Sequence, residues 1–358
     1  MERKVWASGV NERYSLIVNP TEFCQEILPA VSRTFALSIR LLPGDLGDAV
    51  RDAYLLCRIA DTIEDAGQLA AQDKASLLDA FAACFDDPAM VGEFTARAAV
   101  VTGDAAHVRL TRNADLVFAA YRDLPEQTRR HVRHWVLEMV TGMRKFVLAY
   151  PHGIRIQSLD EYKEYCYYVA GTVGYLLTDL WHEHSPSIGR RQHEVLRERC
   201  RAFAEALQTV NILKDVARDA EHENSIYIPE QILRAHGSAH STILATDRVD
   251  QNHAAIGTLV QLAWHDLDQA TVYLLSIPRR ALSIRLFCAL PLLFAYATLR
   301  DLTVTPGAIA RREVVKISRA EVKSITLLSL LGVWSNRLMS RLVTRTRVRA
   351  IRIPLVLG

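Results

Sequence analysis

An all-α fold in a single domain is what this sequence predicts, and three observations carry the prediction. Only 16 glycines and 12 prolines occur among 358 residues, too few for the closely spaced turns of an all-β protein. Apolar residues recur at three- and four-residue steps over long stretches, the period of a helix with one buried face. The breaks between these stretches are short, as between packed helices rather than between domains. A composition of 50% hydrophobic and 23% charged residues excludes disorder or a coiled coil as a description of the whole.

Taken in order, residues 1–21 read as an irregular lead-in closing near Asn19-Pro20. Phe23, Ile27, Leu28 and Val31 then open the helical pattern, and Pro43-Gly44 ends the stretch that follows. A long helix is expected over 45–65, with others over 73–85, 104–122, 125–147 and 159–184. Further helices are expected over 190–220, 251–276, 279–301 and 311–342. Their separators include Pro125, Pro151-His152-Gly153, Ser185-Pro186-Ser187, Pro229, His236-Gly237-Ser238 and Pro306-Gly307. With no repeat or linker, residues 22–334 form one expected unit.

Composition shifts only after it. Residues 335–358 carry Arg337, Arg341, Arg345, Arg347, Arg349 and Arg352 and no acid, interleaved with Val343, Val348, Ile351, Ile353, Leu355, Val356 and Leu357. Such a tail suits peripheral contact with an anionic membrane, and equally a frayed, solvated end. The net charge of +3 is too mild to imply nucleic acid, so no such partner is expected. Six scattered cysteines without a Cys-x-x-Cys pair argue against a disulfide framework and a zinc ribbon. The opening Met1-Glu2-Arg3-Lys4-Val5-Trp6 leads into no apolar run, and no stretch reaches the roughly 18 uncharged apolar residues of a spanning helix. A cytoplasmic monomer, with peripheral membrane contact as the open question, is the expectation.

Two helices carry acids among apolar neighbours. In the first, Arg58, Asp61, Glu64 and Asp65 share one face, with Ile59, Ala60 and Ile63 between them. In the second, Gln208, Asn211, Asp215 and Asp219 run down one stripe among Val210, Ile212, Leu213 and Val216. Carboxylates buried without partners would cost several kcal/mol each. Salt bridges to Arg58, Lys214 and Arg218 are one remedy. The other is a divalent cation: Mg²⁺ takes a few carboxylates, waters and phosphate oxygens rather than a complete protein cage. Asp61, Glu64, Asp65, Asp215 and Asp219 are then its candidate ligands, and the chemistry served is departure of diphosphate from an allylic carbon in an apolar cavity.

At these residues the chain resembles the squalene/phytoene synthase family, all-helical class I terpenoid synthases with a central cavity. Ser32-Arg33-Thr34-Phe35, Tyr54 through Asp65, Tyr165-Cys166-Tyr167-Tyr168-Val169-Ala170-Gly171-Thr172-Val173-Gly174, and Gln208 through Asp219 are similar to its motifs in their order, and Ile226-Tyr227-Ile228-Pro229 follows. The resemblance implies that two farnesyl diphosphates are joined through a cyclopropyl diphosphate. Asp61, Asp65, Asp215 and Asp219 would bind Mg²⁺, Arg33 and Arg58 the diphosphate, and Tyr165 would transfer a proton. A phenol serves as a base only where nearby cations depress its pKa. Phe35, Tyr54, Val169, Ala170, Val173, Gln208, Asn211, Phe287 and Pro291 would contact substrate. For Ala170, Gly171 and Gly174, close helix packing is the plain alternative. Phe287-Cys288-Ala289-Leu290-Pro291 and Val315-Lys316-Ile317 lean toward the squalene synthase branch, which implies NADPH at Lys316 and Arg319. The rival expectations are a phytoene or dehydrosqualene synthase, which needs no reductant, and a non-catalytic lipid-binding or assembly protein.

Two further clusters have bland expectations. His182-Glu183-His184 reads as a solvated helix end, since histidines at i, i+2 do not share a face. The basic stretch 129–135 reads as the outer side of a helix whose core face includes Val132 and Val136.

Overall fold

The computed structural model describes residues 19–304 and 315–351, apart from the side chains of Arg33 and Val304. The lead-in up to residue 18, the break at Pro306-Gly307 and the tail residues Arg352, Ile353, Leu355, Val356 and Leu357 lie outside the described residues. Helices α1 (Pro20–Val31) and α2 (Arg33–Ile39) lead into the long α3 (Gly44–Glu64). There follow α4 (Ala71–Ala83), α5 (Met90–Arg97), α6 (Ala105–Arg112), α7 (Ala114–Asp123) and α8 (Glu126–Ala149). Next come α9 (Leu159–Cys166), α10 (Thr172–His184), α11 (Arg190–Arg218) and α12 (Glu230–Ala235). Finally α13 (Val249–Ser276), α14 (Leu282–Val304), α15 (Arg319–Gly332) and α16 (Asn336–Val348) complete the bundle. Among the described residues no strand forms beyond an isolated bridge between Arg155 and Ile226. The fold is the expected all-α one.

Local chemistry sets the boundaries. The Asn19 carboxamide oxygen accepts from the Thr21 amide at 2.9 Å to start α1, and Ser32, Asp104, Ser158, Ser318 and Ser335 cap α2, α6, α9, α15 and α16 in the same manner. At the centre, α3 buries Leu55, Leu56, Ile59 and Ile63, while α11 lies along α13 and against α10. Helix α14 packs on α2, α11, α13, α15 and α16. By length and composition its segment Leu282–Thr303 could cross a membrane, but 83% of that window is buried within the bundle, as in a core helix. All six cysteines are free and buried.

Several expectations need correction. The helix expected over 104–122 is two, because the Asn113 side chain turns back to donate to the Arg109 carbonyl at 2.7 Å. The helix expected over 311–342 is also two, since Ser335 starts α16 by capping the Leu338 amide at 3.4 Å. Short α5 and α12 had no sequence counterpart. The arginine-rich stretch after 335 is no frayed end as far as Val348: α16 buries Met339, Leu342, Val343 and Thr346 against the bundle, and Arg347 pairs with Asp268 at 2.9 Å. Finally, two helices loosen into π-helical turns, Tyr167–Gly171 within one motif singled out from the sequence and Asp219–Glu223 starting at the last residue of another. Such turns arise where a helix accommodates an extra residue, often at functional sites.

Gly174 illustrates how tightly the motif helices meet. A Cβ there would overlap the Cys200 carbonyl oxygen of α11, so close helix packing accounts for this glycine. In an open helix Gly→Ala stabilises by up to about 1 kcal/mol. Here Gly174→Ala should instead lower the unfolding free energy by about 1–3 kcal/mol, read as a shift in urea midpoint.

Candidate active site

The C-terminal end of α3 and the π-turn after α11 abut. A Cβ on Gly67 would sit 3.2 Å from the His222 carbonyl oxygen, which brings Asp61, Glu64 and Asp65 to the same mouth as Asp215, Asp219 and Glu223. Their charges act on one another. The Asp219 carboxyl is pushed up to about 8 by burial and by the charges of Glu223, Asp215 and Asp65. Glu64 rises well above the ordinary range through burial, then Asp65 and Asp61. Asp65 stays open to the mouth, yet desolvation and Glu223 raise it in the same direction. Asp61 is raised by burial against the opposing pull of Arg58.

The cations nearby neutralise this cluster only in part, Arg218 reaching Glu223 at 4.0 Å. Arg58 lies 3.3 Å from Asp61 and donates to the Tyr54 hydroxyl at 3.1 Å, while its buried Nε has no partner. Lys214 pairs with Asp215 at 3.1 Å. Lys74 Nζ donates to the Glu64 backbone carbonyl at 2.6 Å rather than to a carboxylate, and burial lowers its pKa. Glu64 Oε1 is buried with no hydrogen-bond partner.

A hard divalent cation fits this donor set, which is all oxygen and short of positive charge. Among the described residues, no three His, Cys, Asp or Glu groups are gathered tightly enough to enclose one ion. Mg²⁺ in particular is commonly held by one or two carboxylates, with water and phosphate oxygens completing its shell. A cavity of about 250 Å³ opens beside the cluster, lined by Glu64, Lys74, Tyr150, Glu223, Asn224 and Tyr227 among others.

Around the mouth, Phe35 of α2 contacts Tyr54 of α3 with ring centroids 5.5 Å apart. Tyr165 is buried, stacked on Tyr227 at 4.9 Å and edge-on to Phe146 at 5.1 Å. The condition for a basic phenol is not met by the chain's own side chains: burial and the Glu64 charge push Tyr165 up rather than down. Ala170 is buried in the first π-turn, with Val169 and Val173 half-buried beside it. Gln208 is half-buried and Asn211 exposed on α11. Phe287 lies within the core edge-on to Trp181 at 5.2 Å, and Pro291 is buried one turn further along α14. Lys316, just before α15, and Arg319, at its start, are exposed, and among the described residues no hydrogen bond or ion pair links them to the acidic mouth. Arg33 begins α2, but its side chain is outside the described residues.

Sequence reasoning missed Glu223 and Lys74. Glu223 had a signal, because it extends the stripe of Asp215 and Asp219 by four more residues. Lys74 had none, being brought to Glu64 by the turn between α3 and α4. Of the histidine cluster, His182 is exposed as expected, whereas His184 is half-buried with its Nε2 3.0 Å from the Thr128 hydroxyl. Asp179 accepts from Trp135 at 2.9 Å and Arg197 at 2.6 Å and lies 2.8 Å from His193, while Glu183 accepts from Thr128 at 2.6 Å. This network braces α8, α10 and α11 toward the end of α11 opposite Asp215. In the basic stretch before it, Val132 and Val136 are fully buried as expected.

The family model for squalene/phytoene synthase matches residues 28–321. Squalene synthase 1 of Arabidopsis thaliana is 26% identical over 279 residues, covering 77% of this chain and 64% of the relative. The squalene synthase of Schizosaccharomyces pombe is 27% identical over 312 residues, covering 86% and 64%. The chain thus spans less than two thirds of these relatives' own length. Among solved structures, TcSQS with the ligand BPH1237 superposes with a TM-score of 0.77 at 23% identity, covering 92% of this chain and 98% of that one. The squalene synthase HpnC of Alicyclobacillus acidocaldarius gives 0.53 at 20% identity, covering 83% and 95%. These last two likenesses speak to the fold alone. With the family model spanning most of the sequence and containing both acidic motifs, the chain belongs to the squalene/phytoene synthase family.

Proposed function

We propose that this protein is a squalene synthase, joining two farnesyl diphosphates through presqualene diphosphate, with Mg²⁺ as metal and NADPH as reductant. The observation that carries the reading is the convergence of Asp61, Glu64 and Asp65 with Asp215, Asp219 and Glu223, a charge excess that the nearby side chains leave uncompensated. Asp61, Asp65, Asp215 and Asp219 would hold the metal, whose bound charge stabilises the departing diphosphate. Arg58 offers its unpartnered Nε to a phosphate oxygen. Val169, Ala170, Val173 and Phe287 would supply the apolar side that keeps water from an allylic cation. Tyr165, held protonated, would donate a hydrogen bond and would act as a base only once bound cations lower its pKa. Lys316 and Arg319 offer exposed cations to a phosphate of NADPH, whereas Ser318 between them spends its hydroxyl on the Glu321 amide at 3.1 Å.

Incubation with farnesyl diphosphate and Mg²⁺, with and without NADPH, tests the reading by the hydrocarbon formed. Squalene only with NADPH supports it. A product indifferent to NADPH would make the enzyme a dehydrosqualene or phytoene synthase, and no product from any prenyl diphosphate would favour a non-catalytic lipid-binding or assembly role.

The electrostatics give a test that does not require turnover. A carboxylate whose folded pKa is raised stabilises the fold below its unfolded value and loses that contribution as pH rises through the folded one. Without divalent cations, the melting temperature should therefore fall between about pH 4, the unfolded value, and about 8, where Asp219 titrates. Added Mg²⁺ should flatten the decline, and equal slopes with and without it would contradict the assignment.

A further inference from the structure

The α15–α16 hairpin has an outer surface that the bundle does not use. Of the ten large apolar side chains that stand exposed among the described residues, six fall in 327–348. Leu327, Leu331 and Trp334 form one stripe at i, i+4 and i+7, with Leu330 beside it and Leu338 just past the turn. Leu331 is 66% and Trp334 63% exposed, at the tip of the hairpin. The inner faces are buried, so the outward set is not a loosely packed core. The tip is also held firmly. Arg285, fully buried, donates to the Val333 carbonyl at 2.9 Å and to Asn336 Oδ1 at 2.8 Å, and with its other nitrogen to the Ile277 carbonyl at 2.6 Å.

Cations surround this apolar tip. Between Ser335 and Ile351 there are five arginines and no acid. Arg347 is engaged by Asp268, but among the described residues Arg337, Arg341, Arg345 and Arg349 have no ion-pair partner. These four line one shallow groove with Ser340 and Thr344. Lys323 is exposed one turn before Leu327, and Arg279 and Arg280 are exposed on the neighbouring turn that Arg285 ties to the tip.

We infer that the α15–α16 hairpin is a docking surface for an anionic lipid bilayer, with Leu330, Leu331, Trp334 and Leu338 entering the acyl boundary and Arg337, Arg341 and Arg345 meeting the headgroup phosphates. Charge complementarity selects this occupant: a second copy of the chain would bring the same positive field to the contact, whereas an anionic membrane supplies the opposite one. A tryptophan at the edge of a leucine patch, with arginines behind it, matches the layered polarity of the interface. The surface differs from the contact through the basic tail 335–358 read from the sequence, because most of its apolar part belongs to α15 and the turn before α16.

Sedimentation of the full chain with vesicles tests this, comparing phosphatidylcholine alone with phosphatidylcholine containing phosphatidylglycerol. Binding should require the anionic lipid and weaken with salt. Arg341→Gln and Arg345→Gln should each weaken it by about fivefold, and Leu331→Ser with Trp334→Ser by about tenfold or more. Tryptophan emission should shift to the blue on binding in the parent chain, and the shift should be largely lost in Trp334→Phe. Vesicle binding that is absent, or unchanged in the variants, overturns the proposal. So does a self-association that the apolar variants abolish without any effect on vesicles. Should the serine variant melt early, the two glutamine variants and the emission shift decide alone.

Discussion

Asp219→Asn should lower turnover with Mg²⁺ and farnesyl diphosphate by about a thousandfold, while raising the stability of the metal-free protein. The two effects have one cause. Asp219 is 8% exposed, and its carboxyl is pushed up to about 8 by burial and by Glu223, Asp215 and Asp65. Holding it ionised at neutral pH works against folding unless a cation offsets the charge. The carboxamide keeps the shape and removes the charge, so at pH 8 the metal-free variant should gain on the order of 2 kcal/mol in urea unfolding. The same change weakens cation binding, and lost stabilisation of a diphosphate leaving group is worth several kcal/mol of barrier. A variant that loses turnover and also loses stability would show Asp219 to be structural. One that keeps near-full turnover would remove it from the metal set.

The second large effect lies away from the site. Arg300 and Glu321 make a two-pronged buried pair at 2.9 and 3.0 Å, and Arg300 also donates to Asp301 at 2.8 Å and to the Thr346 carbonyl at 2.9 Å. Glu321 in turn accepts from the Ile351 amide at 3.1 Å. One guanidinium thereby joins α14, α15 and the end of α16. Arg300→Met leaves the Glu321 charge buried and uncompensated, which should cost about 3–5 kcal/mol. Removing both partners as Arg300→Met with Glu321→Met should recover most of that loss, because the buried Glu321 charge is then gone and only the Thr346 carbonyl, the Ile351 amide and the partly exposed Asp301 lose a side-chain partner. Urea midpoints of the two single variants and the double variant close the cycle. Equal destabilisation in the single and double variants would mean that the carbonyl and amide contacts, not the charge pair, dominate.

What could be read from the sequence divides along physical lines. Long amphipathic helices such as α3, α8 and α11 announce themselves, because the apolar period persists over many turns and averages out local exceptions. The break at Asn113 does not, since it depends on one side chain returning to its own backbone. The first π-turn was equally hidden, because Tyr167–Gly171 continues the apolar pattern without a gap. Asp61, Asp65, Asp215 and Asp219 were legible as acids placed where apolar residues belong, and Glu223 by the same logic carried one step further. Lys74 and Tyr227 reach the mouth only through tertiary folding. The protonation state of Tyr165 depends on Glu64, from another helix, and no spacing rule reports that.

The buried thiols have a practical corollary. Burial pushes Cys24, Cys84 and Cys200 up to about 12, and Cys57, Cys166 and Cys288 higher still, so at neutral pH scarcely any thiolate is available for alkylation. Against that silent background, a cysteine introduced at exposed Thr344 would react with maleimide far faster than the native ones. A single fluorophore could be mounted there without first deleting a natural sulfur.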